Sequence, residues 1–209
     1  MIAAQVLVLA KEPVAGRVKT RLTPALTPAQ AAEVALAALE DTVDAVRRTP
    51  VVERLLVVDG LFDAPGFLVL PQADGPLDVR LAAAFDDAWA HRRLPMLLVG
   101  MDTPQLTPGL LTEALTQLLQ PGTDAVLGLA EDGGWWGLGL RCPHAHLVRG
   151  IPTSRDDTGA RQRDCLLKAG LSVVDLPVLR DVDTVSDLAA VAALAPRTRF
   201  ARAVGTVLA

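Results

Sequence analysis

Short apolar runs alternate with longer amphipathic stretches along most of this 209-residue chain, and this alternation restricts the fold more than any other feature. Six runs have the length and composition of buried strands, at residues 5–10, 54–59, 67–70, 96–100, 125–129 and 172–176. Four stretches between them have helical periodicity, at residues 27–47, 77–91, 107–119 and 184–194. Alternating strands and helices wind into βα units. The sequence therefore predicts an α/β fold, a three-layer α/β/α sandwich with a mostly parallel, Rossmann-like sheet.

Composition excludes several classes of protein and of binding site. No Gly/Ser-rich or charge-block linker divides the chain, so we expect a single domain over residues 1–209. The net charge of -4 argues against general nucleic-acid binding, which needs a broad basic surface. Neither a signal peptide nor a membrane-length apolar run is visible, so we expect a cytoplasmic protein without a membrane span. Cys142 and Cys165 are too few and too far apart to predict a disulfide framework or a zinc site.

A cluster of cations directly follows the first predicted strand. Basic side chains can neutralise phosphate, and a glycine lets the backbone approach closely, so this loop suits a polyphosphate. The spacing is not that of a Walker A loop, because two residues separate Gly16 from Lys19. A solvated basic turn is the alternative, but ligands of open α/β sheets bind beyond the carboxyl ends of strands, which favours a site. The candidate binding residues are Lys11, Gly16, Arg17, Lys19, Thr20 and Arg21.

Acidic residues follow two further predicted strands. Asp102 comes just after the strand at 96–100, where a carboxylate can bind a hard divalent cation, or can instead order the turn or cap the helix near Thr107. Asp181 and Asp183 are two residues apart, so in an extended segment they point to the same side. That pairing is costly unless the two acids share a cation, although Asp183 could instead cap the helix at 184–194.

The segment Asp132-Gly133-Gly134-Trp135-Trp136 combines a carboxylate, two glycines and two tryptophans. A flat aromatic face can stack on a sugar or base, and the glycines allow the backbone to approach a ligand. We expect at least one of the two tryptophans to pack in the core instead. Asp132 could orient an acceptor hydroxyl or act as a general base.

Five ordered motifs give the chain a resemblance to a known family. They are Lys11-x-Pro13-x-x-Gly16-x-x-Lys19-Thr20-Arg21-Leu22, Gln72-x-x-Gly75-x-Leu77-x-x-Arg80-Leu81, Gly100-Met101-Asp102-Thr103-Pro104, Asp132-Gly133-Gly134-Trp135-Trp136 and Asp181-Val182-Asp183-Thr184-x-x-Asp187-Leu188. Together they resemble the bacterial selenodomain-associated transferases, a branch of the GT-A nucleotide-diphospho-sugar transferase superfamily. The chain departs from that pattern at Ile151-Pro152-Thr153-Ser154-Arg155, where a Trp is expected after the proline.

The resemblance implies a GT-A fold and a divalent metal, Mg²⁺ or Mn²⁺. Asp102 would be one metal ligand, and Asp181 or Asp183 would supply another. Gln72 and Arg80 would join the first loop in binding the nucleotide, with Gly133, Gly134 and Trp135 next to it. Lys19, with the metal, would stabilise charge on the leaving group, and Asp132 would serve the acceptor.

The expected function is transfer from a nucleotide-activated donor to a small-molecule acceptor, as in a GT-A glycosyltransferase that uses a nucleotide-sugar. Two alternatives stay open. The first is a nucleotidyltransferase that uses a nucleoside triphosphate and a phosphorylated small molecule, as in the similar phospholactate guanylyltransferases. The second is a nucleotide-binding module without turnover. The sequence does not identify the donor base, the sugar, the acceptor or the oligomeric state.

Overall fold

The computed structural model describes residues 1–208. Its strands are β1 (Ile2–Lys11), β2 (Val51–Asp59), β3 (Leu68–Pro71), β4 (Met96–Gly100), β5 (Ala125–Ala130), β6 (Trp135–Leu140) and β7 (Val173–Leu179). Its helices are α1 (Pro28–Arg48), α2 (Leu77–His91), α3 (Pro108–Leu118), α4 (Thr158–Lys168), α5 (Val185–Leu194) and α6 (Arg199–Val207). The six predicted strands and four predicted helices are all present.

The seven strands form one sheet in the order β3-β2-β1-β4-β6-β5-β7. Strand β6 runs antiparallel to β4 and β5, whereas the β1–β2, β1–β4, β2–β3 and β5–β7 pairs are parallel. The mostly parallel sheet confirms the predicted fold class. Because successive parallel strands point the same way, their carboxyl ends and the loops that follow them lie at one edge of the sheet.

Both faces of the sheet are buried, which explains the continuous apolar runs. Val6 and Val8 of β1 pack with α1 and α3 on one face, and Leu7 packs with α2 and α4 on the other. Side chains alternate between the faces of a strand, so a strand covered on both sides must be apolar at successive positions.

The helices α5 and α6 form a third cluster against the outer side of α1. Leu22 and Leu26 of the loop after β1 are fully buried in this cluster. Asp41 of α1 accepts hydrogen bonds from the backbone N–H groups of Arg199 (3.1 Å) and Phe200 (2.8 Å), which fixes the start of α6. The C-terminal helices therefore anchor the loop that carries the cations.

Three elements were not assigned from the sequence. Strand β6 contains two glycines and begins inside the Gly-Trp motif, so it does not show the pattern of a strand. Helices α4 and α6 contain two arginines each, and only four of the eleven residues of α4 are buried. Within residues 1–208, no helix combines the length and the hydropathy needed to cross a bilayer.

Candidate functional site

A cavity of about 660 Å³ opens at the carboxyl edge of the sheet. Its wall comes from the loop after β1, the end of β4, the turn between β5 and β6, and the segment after β7. These segments therefore converge on one crevice beyond the carboxyl ends of the strands, where ligands of open α/β sheets bind. Most of the residues singled out from the sequence line the cavity: Lys11, Arg17, Lys19, Thr20, Arg21, Gln72, Arg80, Asp102, Asp132, Gly134, Trp135, Asp181 and Asp183.

Lys19 joins three parts of the site. It has a left-handed backbone conformation (φ 49°) immediately before the short 3-10 helix Thr20–Leu22. Its side chain is only 8% exposed, and its ammonium group lies 2.8 Å from Asp102 Oδ1 and donates to the carbonyl of Val182. A lysine buried to this degree needs a charged partner. Lys19 therefore holds the first loop, the turn after β4 and the segment after β7 together.

Asp102 does not cap α3, because the Thr107 side chain accepts a hydrogen bond from the Leu110 N–H at that position. The backbone carbonyl of Asp102 accepts a hydrogen bond from the Val182 N–H at 3.0 Å. Close by, the Gln105 side-chain amide donates to the Arg180 carbonyl. These two hydrogen bonds fix the turn after β4 against the segment after β7, so the Asp102 carboxylate, 44% exposed, is held at the cavity wall.

Asp181 and Asp183 have different surroundings. Burial raises the pKa of Asp181 to about 6, and repulsion from Asp132 and Asp102 adds to the rise, whereas Lys19 opposes it. Asp183 forms an ion pair with Arg21. Asp183 is not the N-cap of α5, because Thr184 occupies that position. The Thr184 N–H donates to the Asp187 carboxylate at 2.6 Å.

The carboxylates in the cavity suit a hard divalent cation. The pKa of Asp181 is raised mainly by burial and in part by repulsion from Asp132 and Asp102, and a bound cation would relieve that repulsion. Oxygen ligands are the ones that Mg²⁺ prefers, and it usually binds to one or two carboxylates together with substrate phosphates and waters. Among residues 1–208, no three His, Cys, Asp or Glu side chains are close enough to form a complete metal site. A metal held by one or two of these carboxylates would need further ligands from a substrate or from water.

The remaining cations of the first loop are exposed. Arg17 lies 3.9 Å from Asp59, and its side chain is 62% exposed. Lys11 and Thr20 also line the cavity and are exposed. Gly16 does not line it: the residue is in an exposed turn at φ +78°, with no atom within 4 Å of the place where a Cβ would be. The predicted role of Gly16 in approaching a phosphate is thus not supported by its position.

Gln72 and Arg80 are engaged with the protein. The Gln72 amide donates to the Ala10 carbonyl, and its oxygen accepts from Arg80 at 3.3 Å. Arg80 also donates to Asp59 (3.0 Å) and to the Gly75 carbonyl (2.8 Å). These contacts fix the ends of β1 and β2 next to the cavity, in addition to any contact that the two side chains make with a ligand.

The turn between β5 and β6 is tightly built. Asp132 Oδ1 accepts from the Gly134 N–H at 2.8 Å. Gly133 (φ +88°) was predicted to lie next to the nucleotide, but it does not line the cavity. The space where its side chain would be is filled by the backbone of Asp156. Trp136 is 2% exposed and donates to the Pro177 carbonyl at 2.9 Å, which confirms a packing role for one of the two tryptophans. Trp135 is partly exposed and lines the cavity.

One part of the cavity wall, formed by Thr153, Ser154, Arg155 and Thr158, was not predicted from the sequence. The first three of these residues lie in the segment that departs from the family pattern. Ser154 has a left-handed backbone (φ 59°), which is uncommon outside glycine and occurs mainly at functional sites. The only available sequence signal was the loss of the expected Trp at this place.

The sequence matches the family model of DUF2064, described as an uncharacterized protein conserved in bacteria, over residues 25–155. No curated protein sequence matches the chain. Among solved structures, a candidate nucleotide-diphospho-sugar transferase from Desulfovibrio desulfuricans G20 is 26% identical, with a TM-score of 0.79 over 88% of this chain and 84% of that one.

Two more distant structures share the fold alone. Rv0371c from Mycobacterium tuberculosis H37Rv, in complex with manganese, is 21% identical, with a TM-score of 0.52 over 90% of this chain and 97% of that one. CMP:2-keto-3-deoxy-manno-octonic acid synthetase, in complex with CTP, is 12% identical, with a TM-score of 0.58 over 93% and 98%. These similarities confirm that the fold is of the nucleotide-diphospho-sugar transferase (GT-A) type.

Proposed function

The chain belongs to the DUF2064 family, and from its site we propose that it is a metal-dependent transferase that moves a sugar from a nucleotide-sugar to a small-molecule acceptor. We also propose, on the five ordered motifs, that it is one of the selenodomain-associated transferases of the GT-A superfamily. The structure from Desulfovibrio desulfuricans G20, whose name gives it as a candidate nucleotide-diphospho-sugar transferase, supports the same assignment to a transferase.

One observation carries the proposal: cations of the loop after β1 and carboxylates from three other segments face the same cavity. Lys19 contacts Asp102, and Arg21 contacts Asp183. A metal-bound diphosphate would satisfy both sets of charges, because its oxygens bind the cations while the metal binds the carboxylates.

The cationic residues and Asp132 would have separate roles. The phosphates would be bound by Lys11, Arg17, Thr20 and Arg21. Arg21 would have to break its ion pair with Asp183 in order to bind them. Lys19 would keep Asp102 in place and stabilise negative charge on the departing diphosphate. Asp132 would accept the proton of the acceptor hydroxyl, a role that requires hydrogen-bond reach to that group.

Asp102 and Asp181 would hold the divalent metal. When bound, it would neutralise charge on the diphosphate leaving group. Asp183 would have to release Arg21 before it could bind the metal. It is therefore a less favourable ligand than Asp102 or Asp181.

A second function has a specific observation in its favour. Lys11, Arg17 and Arg21 place three cations at the cavity in addition to Lys19, and several cations in one loop suit the larger negative charge of a triphosphate. With a triphosphate, the same site would attach a nucleotidyl group to a phosphorylated small molecule. The synthetase that was solved with CTP has this fold.

The product of donor cleavage distinguishes the two functions. The full chain is incubated with a panel of nucleotide-sugars and nucleoside triphosphates, with Mg²⁺, Mn²⁺ or EDTA, and with mixed small-molecule acceptors. Release of nucleoside diphosphate indicates glycosyl transfer, and release of pyrophosphate indicates nucleotidyl transfer. Binding without either product across the panel would favour a nucleotide-binding module, and no binding at all would refute the proposal.

Two arginines provide a matched control for the binding site. Arg21 and Arg48 are both 63% exposed and each pairs with one aspartate, but only Arg21 lines the cavity. We expect Arg21→Met to weaken nucleotide binding about tenfold or more, since a charge-assisted hydrogen bond is lost. Arg48→Met should leave it unchanged. The rise in melting temperature on adding nucleotide, measured for each variant against its own ligand-free value, reports this affinity.

A further inference from the structure

The wall formed by Thr153, Ser154 and Arg155, here called the 153–155 loop, stands apart from the cationic loop after β1. In the sheet, β4 lies between β1 and β6. The loop after β1 and the turn before β6 therefore lie on opposite sides of Asp102, which follows β4. The start of α4, shortly after the 153–155 loop in the chain, packs on the turn before β6, since the Gly159 N–H donates to the Gly133 carbonyl at 2.8 Å.

From this geometry we propose that Arg155, with the hydroxyl groups of Thr153 and Ser154, binds an anionic group of the acceptor, a phosphate or a carboxylate. The proposal rests on the proposed function, because it places the acceptor opposite the nucleotide. It adds that the acceptor carries negative charge and that Arg155 determines this specificity.

The loop is held in one conformation. The Thr158 hydroxyl donates to the Pro152 carbonyl (3.0 Å) and accepts from the Arg155 N–H (3.2 Å). The carbonyl of Asp156 fills the space that a side chain at Gly133 would occupy. A rigid loop presents its side chains with little loss of entropy when a ligand binds, which favours affinity.

The cation of the loop faces the cavity, whereas the two acids that follow it in the chain do not. Arg155 lines the cavity, whereas Asp156 and Asp157, among residues 1–208, do not. Arg155 donates to Asp157 through Nε (2.9 Å) and one terminal nitrogen (3.5 Å). Asp157 also binds Arg161 at 2.7 Å, so two guanidinium groups share one carboxylate. Arg155 therefore keeps positive charge and free N–H donors for a ligand.

The guanidinium fork matches the geometry of a phosphate or carboxylate, and the pair at Asp157 fixes its orientation. The hydroxyl groups of Thr153 and Ser154 add two donors beside it. A neutral acceptor would use the hydroxyl groups but would leave the arginine without a partner.

The test is a calorimetric titration of the full chain with glycerol 3-phosphate, D-glycerate and glycerol, as phosphate, carboxylate and neutral probes of similar size. Each titration is run without nucleotide and with the tightest-binding nucleotide at saturation. We expect at least one anionic probe to bind at least about tenfold more tightly than glycerol. Arg155→Met should lose this preference while the Kd for nucleotide stays within about twofold.

Arg163→Met is the matched control. Arg163 donates to Asp175 through Nε and one terminal nitrogen, as Arg155 donates to Asp157, and it is 39% exposed, but it does not line the cavity. The control should bind the anionic probe as the unchanged protein does. Arg155→Lys should be intermediate, because it keeps the charge and loses the fork.

Several results would overturn the proposal: no binding of either anionic probe, equal binding of glycerol, or unchanged binding after Arg155→Met. Displacement of the probe by nucleotide would also overturn it, since the anion would then occupy the cationic loop after β1. Failure of every nucleotide to bind, while the anionic probe still depends on Arg155, would instead refute the proposed function alone.

Discussion

Replacing Gly133 by alanine should be among the most damaging single-methyl changes available in this protein. The residue has φ +88°, and a Cβ there would overlap the Asp156 carbonyl oxygen and lie only 2.7 Å from the Asp156 Cα. Real Cβ atoms do not approach backbone this closely, so either the turn or the 153–155 loop must move.

Two effects add up in this variant. An L-residue with a side chain in the left-handed region costs about 1 kcal/mol. Overpacking against backbone adds about 1–3 kcal/mol. Gly150 isolates the first effect, because it has φ +84° and no atom within 4 Å of a Cβ. We therefore expect a loss of about 1 kcal/mol for Gly150→Ala and about 3 kcal/mol for Gly133→Ala.

Thermal unfolding followed by circular dichroism measures the difference. For a domain of about 150–250 residues, 1 kcal/mol corresponds to about 2–4 °C in Tm. Gly150→Ala should lower Tm by about that amount and Gly133→Ala by about 6–12 °C. Equal Tm values for the two variants would mean that the contact with Asp156 contributes nothing, and the close packing of the turn at Gly133 against Asp156 would be refuted.

Three other predictions concern charged groups. Lys19→Met should lower Tm and raise the pKa of Asp181 further, because the charge of Lys19 holds that pKa down. NMR of the Asp181 carboxylate in the variant should show the higher pKa, and an unchanged value would contradict an interaction between Lys19 and Asp181. The raised pKa of Asp181, about 6 against an ordinary value of 3.8, means that folding favours its protonated form, so its contribution to stability is present below about pH 4 and is lost as pH rises through about 6. Asp181→Asn should flatten the metal-free Tm profile between these limits, and a profile parallel to that of the unchanged protein would refute the assignment. Asp41→Ala should lower stability by about 1.5–3 kcal/mol, since a buried carboxylate that binds the first N–H groups of α6 is lost; urea unfolding measures it, and faster proteolysis should begin in α6.

The sequence also permitted most of the site to be predicted, because its residues come from local motifs. The basic loop, Asp102 and the Asp181 segment each follow an apolar strand, and parallel strands bring their carboxyl ends together. Convergence on one cavity followed from that rule, and the contacts of Lys19 with Asp102 and of Arg21 with Asp183 agree with it.

Residues whose role depends on a distant partner could not be predicted. Gly133 was expected to face a ligand, but it faces Asp156, because the 153–155 loop returns to the turn from about 20 residues further along the chain. Asp181 and Asp183 have the same local pattern, yet one meets other acids and the other meets Arg21. Spacing gives the side of the chain on which a group lies, but not the group that it meets there.

The sequence by itself determined the α/β class, because strands buried on both faces must be apolar at successive positions and helices must present one apolar side. It also determined which loops carry charge. The tertiary structure alone decided the partner of each charged group, the place of β6, and the entry of Arg155 into the cavity wall. The physical reason is that periodicity reports burial along one element, whereas ion pairs and cavity walls join side chains from elements far apart in the chain.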